Sequence, residues 1–497
     1  MPSDITSSEP VAGTVVLPAG QTSVHARAVV VLVCVGMFMT TLDSSIVNIG
    51  LPSIARAFGA PLTGAVEWVI LGYLVIIAAL LLTFGRLSDT VGRKPIWTAG
   101  LVTFTVGSAL CGAAPSLPIL IAARVLQGAG AAFVLSTSTA ILTNVVPPNA
   151  RGKALGWSAV AVALGVSVGP TVGGVLTEHL SWRWIFYVNV PIGFGAVLLT
   201  LRVLPRTAAG VTRASFDPAA PLLFGMGVAA LNLGVSFAER WGWTSPRLLG
   251  VLAIGAGALV SAILIERRSA DPVIDLGLFR NRVFVSAIAS LILAMVALFA
   301  VSFLLPFYLE ELRGFSTARA GWTLTPLPIA IAVTAPIAGG IADRYGSRWL
   351  SPLGLALAGI ALLFLARLDA VSSAWDVAWP LALAGIGQGL FQSPNTRALM
   401  GAAPPAEQGE ASGVLATTRV AGQALSVAVA GAVFAGLGGA AAGGSLVAMH
   451  RTVTSPGVPA DGPLQAIFIH GFDTALVVCA AFAAAGVLTA LVRGRQG

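Results

Sequence analysis

The chain has 497 residues, 56% of them hydrophobic and only 10% charged, with a net charge of +8 and a mean hydropathy of +0.90. Soluble domains carry about 25% charged residues, so this composition excludes an ordinary soluble enzyme, a disordered regulator and a nucleic-acid-binding domain. The basic residues are scattered singly between apolar runs, whereas a nucleic-acid face would cluster them.

Residues 1–27 hold two acids and no basic leading region, which predicts a short disordered tail rather than a cleavable signal peptide. A membrane helix needs about 20 apolar residues. By that measure spans are expected at 28–51, 66–86, 96–115, 118–143, 154–177, 185–204, 218–238, 248–266, 284–309, 320–341, 350–367, 378–401, 411–436 and 471–492, fourteen in all. With the N-terminus in the cytoplasm, eighteen basic residues fall inside and eight outside, as the positive-inside rule demands. Both termini are then cytoplasmic, residues 493–497 forming the last tail. The Gly-rich segment 437–463 carries no readable pattern.

After the second span the chain reads GRLSDTVGRK, Gly85 to Lys94, and after the tenth GGIADRYGSR, Gly339 to Arg348. Gly, Asp, Gly and the final basic residue align at one offset. A second echo, LQGAG at Leu126–Gly130 and GQGLF at Gly387–Phe391, follows in the same order. The expected organisation is therefore two related six-helix bundles, 28–204 and 284–492, with an inserted two-helix hairpin and its flanking loops at 205–283. Paired halves around a midplane cavity are the plan of secondary transporters.

Asp43 stands alone in the first span, and a carboxylate at membrane depth costs ~2.5–3.5 kcal/mol on the insertion scale. It must face a cavity or a partner. Counting ~1.5 Å per residue from the outer ends of their spans puts Asp43 and Arg124 at similar depth, so the two are expected to pair if their helices adjoin. A changing distance between them would change the carboxylate's proton affinity. In the loop, Gly85 is expected to allow close packing and Gly92 a tight turn. Asp89 would accept from a helix N-terminus, and Arg93 and Lys94 would pair with acids across the gap between halves. Asp343 and Arg344 belong to the second copy. Together they would form a cytoplasmic gate.

Gly165, Gly169 and Gly173 recur at every fourth position of the fifth span, followed by Gly174 and accompanied by Pro170. They predict a small-residue face for close helix approach. Trp68, Tyr73, Phe307, Phe391, Gln392 and Asn395 are candidates for a cavity wall, where aromatic faces attract cations. Arg419 in the thirteenth span either snorkels or faces that cavity. The string SWRWIFYVNVPIG, Ser181–Gly193, suggests an interfacial belt with no chemistry. Asp473, near the outer end of the last span, and Glu310, just past the end of the ninth, are weaker candidates for the coupling acid and read more readily as interfacial. Cys34, Cys111 and Cys479 lie far apart in apolar runs and imply neither disulfide nor metal; the four histidines are dispersed. No GxxxxGK[ST] string is present, so ATP would not drive this chain.

GRLSDTVGRK resembles the loop motif of the major facilitator superfamily, and fourteen spans resemble its drug:proton antiporter branch. LDSSIVNIGLP (Leu42–Pro52), RVLQGAGAA (Arg124–Ala132), GVSVGPTVGG (Gly165–Gly174) and PVIDLGLFRNRVF (Pro272–Phe284) agree with that branch. The resemblance implies adjacency of the first and fourth helices. It also implies that the fifth-span motif belongs to antiport. The expected activity is proton-coupled export of lipophilic, often cationic compounds from a bacterial cytoplasmic membrane, by a protein that is not an enzyme. It would work as a monomer, with no cofactor beyond the coupling proton and no nucleic-acid partner. Rival expectations are a dedicated exporter of one metabolite, lipid or siderophore, a proton-driven uptake symporter, and a non-transporting scaffold.

Overall fold

The computed structural model describes residues 19–60, 65–147, 151–204, 219–242, 244–269, 276–345, 348–404, 407–452 and 462–492. All regular structure among them is helical, the form in which a single apolar segment satisfies its own backbone in lipid. The first seven helices are α1 (Ala19–Phe58), α2 (Trp68–Val91), α3 (Arg93–Ala113), α4 (Leu117–Val145), α5 (Arg151–His179), the single turn α6 (Trp184–Tyr187) and α7 (Asn189–Val203). Next come α8 (Ala219–Trp241) and α9 (Pro246–Arg268), then α10 (Arg282–Phe307), which runs on into a π-helical turn at Tyr308–Leu312. The chain closes with α11 (Thr317–Leu324), α12 (Pro326–Tyr345), α13 (Leu350–Leu365), α14 (Ala374–Ala402), α15 (Gln408–Gly436), α16 (Gly439–Thr452) and α17 (Gly462–Leu491).

Several boundaries differ from expectation. Residues from Ala19 are already helical, so α1 takes up the last third of the expected tail; residues 1–18 and 493–497 lie outside the described residues. The unreadable segment before the last span contains α16, and α17 starts nine residues earlier than the apolar run suggests. Twelve helical stretches among the described residues are long and apolar enough to cross a membrane. The count stops short of fourteen because α13 is only 16 residues long, about 24 Å at 1.5 Å per residue. The other absentee is α14, 29 residues long but interrupted by Pro380, Gln388, Gln392, Pro394, Asn395 and Arg397.

The helices sort by their neighbours. α1 packs on α4, α5 and α7, α2 on α4, and α3 on α4 and α7. α10 packs on α14, α15 and α17, α12 on α14, and α13 on α14 and α17. The seams joining these sets are α1 with α10, α2 with α15, and α5 with α11 and α12. α8 and α9 lie against one another, and α8 rests on both α2 and α15. Glycines set the close approaches: a Cβ on Gly100 of α3 would lie 3.1 Å from the Gly130 carbonyl of α4, and one on Gly354 of α13 would lie 2.5 Å from that of Gly387 of α14. The same device thus joins one helix pair in each set.

Candidate functional site

The densest polar constellation lies inside the first set of helices. Asp43 on α1 is fully buried, and Arg124 on α4 reaches it with Nη1 donating to Oδ2 at 2.6 Å. The other carboxylate oxygen, Oδ1, accepts from Gln127 Nε2 at 2.8 Å and from Asn189 Nδ2 at 2.9 Å. Gln127 lies one helical turn beyond Arg124. Its own oxygen accepts from Arg124 Nη1 at 2.6 Å, and its nitrogen donates to Ser108 Oγ at 2.5 Å. Arg124 Nε donates to the Val69 carbonyl of α2 at 2.8 Å. Its guanidinium lies 4.2 Å from the Tyr73 ring centroid and 5.6 Å from that of Phe186.

Every neighbour of the carboxylate is an N–H donor, the arrangement that suits an ionised group acting only as acceptor. The cluster is dry: Arg124, Gln127, Ser108 and Asn189 are all buried. Asp43 therefore meets the cost of membrane depth with partners and not with a water-filled cavity. Tyr73 belongs to this cluster, its hydroxyl donating to the Thr40 carbonyl at 3.1 Å.

A seam of glycines runs beside it. A Cβ on Gly165 would lie 2.8 Å from the Phe38 carbonyl oxygen, one on Gly169 would strike the Ser45 hydroxyl, and one on Gly173 would lie 2.6 Å from Ile49. Ser45 Oγ donates to the Gly165 carbonyl at 3.0 Å, pinning α1 to α5. Gly174 turns the other way, with a prospective Cβ 2.5 Å from the Thr317 carbonyl of α11, and a Cβ on Gly321 of α11 would strike the Pro170 carbonyl. α5 is thus in backbone contact with both sets of helices.

At one end of the molecule lies the loop from Gly85 to Lys94. Gly92 adopts φ 101°, a left-handed conformation that favours glycine, and its N–H closes α2 on the Ser88 carbonyl. Gly85 corrects expectation: a Cβ there would meet nothing within 4 Å, so close packing does not require it. Arg93 donates to the Ala140 carbonyl of α4 at 2.8 Å, and Lys94 to the Leu201 and Leu204 carbonyls at the end of α7. For Lys94 this replaces the expected acid across the gap: the carbonyl end of a helix is the negative end of its dipole, and it lies within the same set of helices. The side chains of Asp89 and Asp343 lie outside the described residues, and Arg344 is exposed at the end of α12.

The opposite end carries an ion pair between the sets. Arg56 of α1 donates to Glu310 Oε2 in the π turn at 2.6 Å. Glu310 and its neighbour Glu311 are both buried within the protein. Nearby, Glu178 of α5 accepts from the Ala318 N–H of α11 at 2.8 Å, and Thr171 and Thr325 share a hydrogen bond of 2.8 Å.

A cleft between the sets is lined by Ser45, Asn48, Pro170, Ser302, Leu324 and Pro328, among others. None of the expected wall residues lines it. Phe307 packs edge-on to Phe303, and Phe391 sits in a small core with Leu291 and Leu355. Asn395 ties α14 to α10, donating to the Ala287 carbonyl at 3.1 Å and accepting from Ser290 at 3.2 Å. Trp68 stacks on Phe237 of α8, whose ring in turn stacks on Trp241. Gln392 is half-buried on α14. Arg419 is half-buried on α15, and its Nε makes no hydrogen bond. Apolar and aromatic residues in a bundle serve packing first, and neither composition nor spacing separates that role from cavity lining.

The model of the Major Facilitator Superfamily matches residues 33–427. The chain belongs to that superfamily. Riboflavin transporter RibZ of Clostridioides difficile is 35% identical over 410 residues, covering 82% of this chain and 88% of that protein. Multidrug resistance protein Stp of Mycobacterium tuberculosis is 35% identical over 402 residues, 80% of this chain and 74% of that one. The tetracenomycin C resistance and export protein of Streptomyces glaucescens is 33% identical over 315 residues, 63% of this chain and 58% of that one. Among solved structures, an inward-facing, unoccupied bacterial homologue of the lysosomal transporter Spinster superposes with TM-score 0.63 at 17% identity, covering 94% of this chain and 97% of that one. This superfamily member is therefore a multi-pass membrane transporter and not an enzyme.

Sequence reasoning missed Gln127, Ser108 and Asn189. Gln127 had a signal, lying three residues after Arg124 on one helix face. Asn189 sits in the string to which no chemistry was assigned, yet it bonds Asp43. In the same string Arg183 Nη1 donates to the Gly112 and Ala114 carbonyls at 2.7 and 2.8 Å, closing the end of α3. Glu67 also went unnoticed: it is buried at the start of α2, accepts from Ser236 of α8 at 3.1 Å, and presses on Gly431 of α15. This contact keys α8 into the seam between α2 and α15.

Proposed function

We propose that the chain exports lipophilic small molecules in exchange for protons by alternating access, with Asp43 as the proton-carrying group and Arg124 as its partner. One observation carries this reading: a fully buried carboxylate held by a buried guanidinium and two amides, with no water-facing surface. Such a pair has two states. Either the ion pair is closed, or Asp43 takes a proton and releases Arg124. Movement of α1 against α4 selects between them, and α1 also borders the cleft through Ser45 and Asn48. Substrate in that cleft is thereby coupled to the proton.

The proposed architecture has fourteen spans. α13 and α14 join the twelve long apolar helices to complete two six-helix halves, and α8 and α9 form the inserted hairpin. Support comes from Arg56 and Glu310, which touch although 254 residues apart, the same offset as Gly85 and Gly339. Equivalent positions of two related halves can meet only near the axis relating them. The loop from Gly85 to Lys94 is assigned to the cytoplasmic face of a bacterial inner membrane, together with both termini, and acts as a gate by tying α2 and α3 to α4 and α7. The α1–α5 glycine seam keeps that half rigid and closed to proton leak. The protein works as a monomer, with the proton its only cofactor.

The names of the Stp and tetracenomycin relatives support export. A second reading, a dedicated exporter of one neutral or anionic compound, is favoured by the cleft lining, which holds hydroxyls and an amide but no carboxylate. The name of the riboflavin transporter accords with it. Purified protein in liposomes with an imposed pH gradient and ethidium tests the two. Ethidium moving against the proton flow supports the broad cation exporter. Gradient-driven movement of riboflavin but not ethidium supports the narrow one, and movement of neither overturns the broad one.

A further inference from the structure

Beside the Arg56–Glu310 ion pair lies a carboxylate with no partner. Neither oxygen of Glu311 makes a hydrogen bond, and both are buried, the residue being 1% exposed. Glu310 spends one oxygen on Arg56 and leaves Oε1 without a partner. The two acids occupy a π-helical turn at the end of α10, an irregularity that recurs at functional positions. Two carboxylates therefore share one cation. The Arg56 side chain is 27% exposed while that of Glu310 is 1% exposed, so Arg56 separates the acids from water. The other charged or titratable groups in and around the turn are Tyr308 within it, Glu178 and His179 of α5, Arg313, Arg319 of α11, Asp369 and Asp376 beside Tyr308, and His470 and Asp473 of α17. α16 also carries His450 and Arg451, whose side chains lie outside the described ones. Arg313 is turned away, donating to the Ala370 carbonyl.

We infer that Glu311 is a second proton-binding site, one that must be filled for the outer end of the transporter to close. The inference rests on the two-half, alternating-access reading above but not on Asp43 as coupling group. In the closed end an ionised Glu311 would have neither a hydrogen bond nor a counter-ion of its own, and burial of a charge on those terms is strongly disfavoured. The closed end therefore holds Glu311 as the neutral acid. When α1 leaves α10, Arg56 leaves Glu310, water enters, and the Glu311 O–H bond breaks with its proton passing to water. Closure reverses the step: hydronium supplies the proton, an O–H bond forms on Glu311, and Arg56 returns to Glu310. The closed end binds one more proton than the open end, so low external pH favours closure and rising pH favours opening.

The test places spin labels at Leu180→Cys and Val371→Cys, exposed positions near the outer end of each half, in a Cys34→Ala background of the full chain in nanodiscs. In the parent protein the labels move apart as pH rises, and in Glu311→Gln, which is permanently neutral, the distance is unchanged over the same range. Glu311→Asp, which keeps a titratable acid, retains a pH response, which separates loss of the proton site from a packing defect; the ethidium and riboflavin assay above reads the Asp43 coupling independently. An identical pH response with and without Glu311→Gln overturns the inference, as does a distance in the parent that ignores pH. Should Glu311→Gln fail to fold, infrared spectra of the unlabelled Asp43→Asn protein decide. A protonated-carboxyl band that disappears on the alkaline side as the end opens supports the site, and no such band overturns it.

Discussion

The Asp43 cluster and the Glu310–Glu311 turn are two buried acidic sites with opposite accounts. Around Asp43, three donors serve one carboxylate; Ser108 in turn accepts from Gln127, and the Val69 carbonyl and Tyr73 ring hold Arg124. Around the π turn, one half-exposed arginine serves two carboxylates, and three of their four oxygens have no partner. The first lies within one set of helices and the second joins two sets. A satisfied network stabilises one arrangement, whereas an incomplete one is stable only while something else, such as a proton, completes it. On the proposed mechanism the first site changes only when Asp43 itself takes a proton, whereas the second changes whenever the outer end opens.

The predictions are ordered by the size of their expected effect. Arg124→Leu removes the only cation of the satisfied site and strands a buried carboxylate, a loss of about 3–5 kcal/mol. The folded fraction in detergent should collapse, and adding Asp43→Asn to the same chain should restore folding without restoring proton-driven transport. Gly169→Val follows. A side chain there strikes Ser45 on α1, so the protein should be recovered in low yield or with a sharply lower unfolding temperature. Gly85→Ala, which meets open space, should leave yield and transport unchanged. If the two glycine variants behave alike, the seam is not the rigid element proposed.

Arg56→Gln should have a smaller effect on stability, because Arg56 is partly exposed, glutamine can still donate to Glu310, and Glu310 can take up a proton once the cation is gone. Its effect on conformation should be the larger one, with faster labelling of an outer-end cysteine at Leu180. The smallest effect is expected at the start of α14. There Ser373 and Asp376 cap the helix reciprocally, and hydrogen bonds from the Ser373 side chain and backbone hold the Asp376 carboxyl below the ordinary carboxylate range. A lowered value means that this contribution is present above the ordinary range and is lost as pH falls through the depressed value. Ser373→Ala should lower the unfolding temperature slightly at neutral pH and by less in acid.

Much of this was legible in the chain. Depth counting brought Asp43 and Arg124 to one level because helix rise is constant, and the spacing of Gly165, Gly169 and Gly173 named one face because helix period is constant. Gly92 was legible for a similar reason, since a loop that reverses direction in one residue needs a left-handed φ. What escaped was chemistry without periodicity. Asn189 and Gln127 are neutral amides in apolar strings, and nothing local distinguishes an amide that meets a carboxylate from one that ties two helices, as Asn395 does. Aromatic residues are ambiguous for the converse reason: Tyr73, Phe307 and Phe391 are buried and packed, because large apolar surfaces are buried wherever they fall. The Arg56–Glu310 contact escaped as well: the two residues share the 254-residue spacing of Gly85 and Gly339, but a spacing does not say that its ends touch.

The central claim is that Asp43 exchanges a proton as substrate binds. The most direct measurement is proton release from the detergent-purified full chain on addition of ethidium, and in parallel riboflavin, followed with a pH-indicating dye in weakly buffered solution. The account predicts release on binding one of these compounds, abolished by Asp43→Asn in a variant that still binds it. Release of the same size from Asp43→Asn would contradict the account and move the coupling proton elsewhere in the molecule.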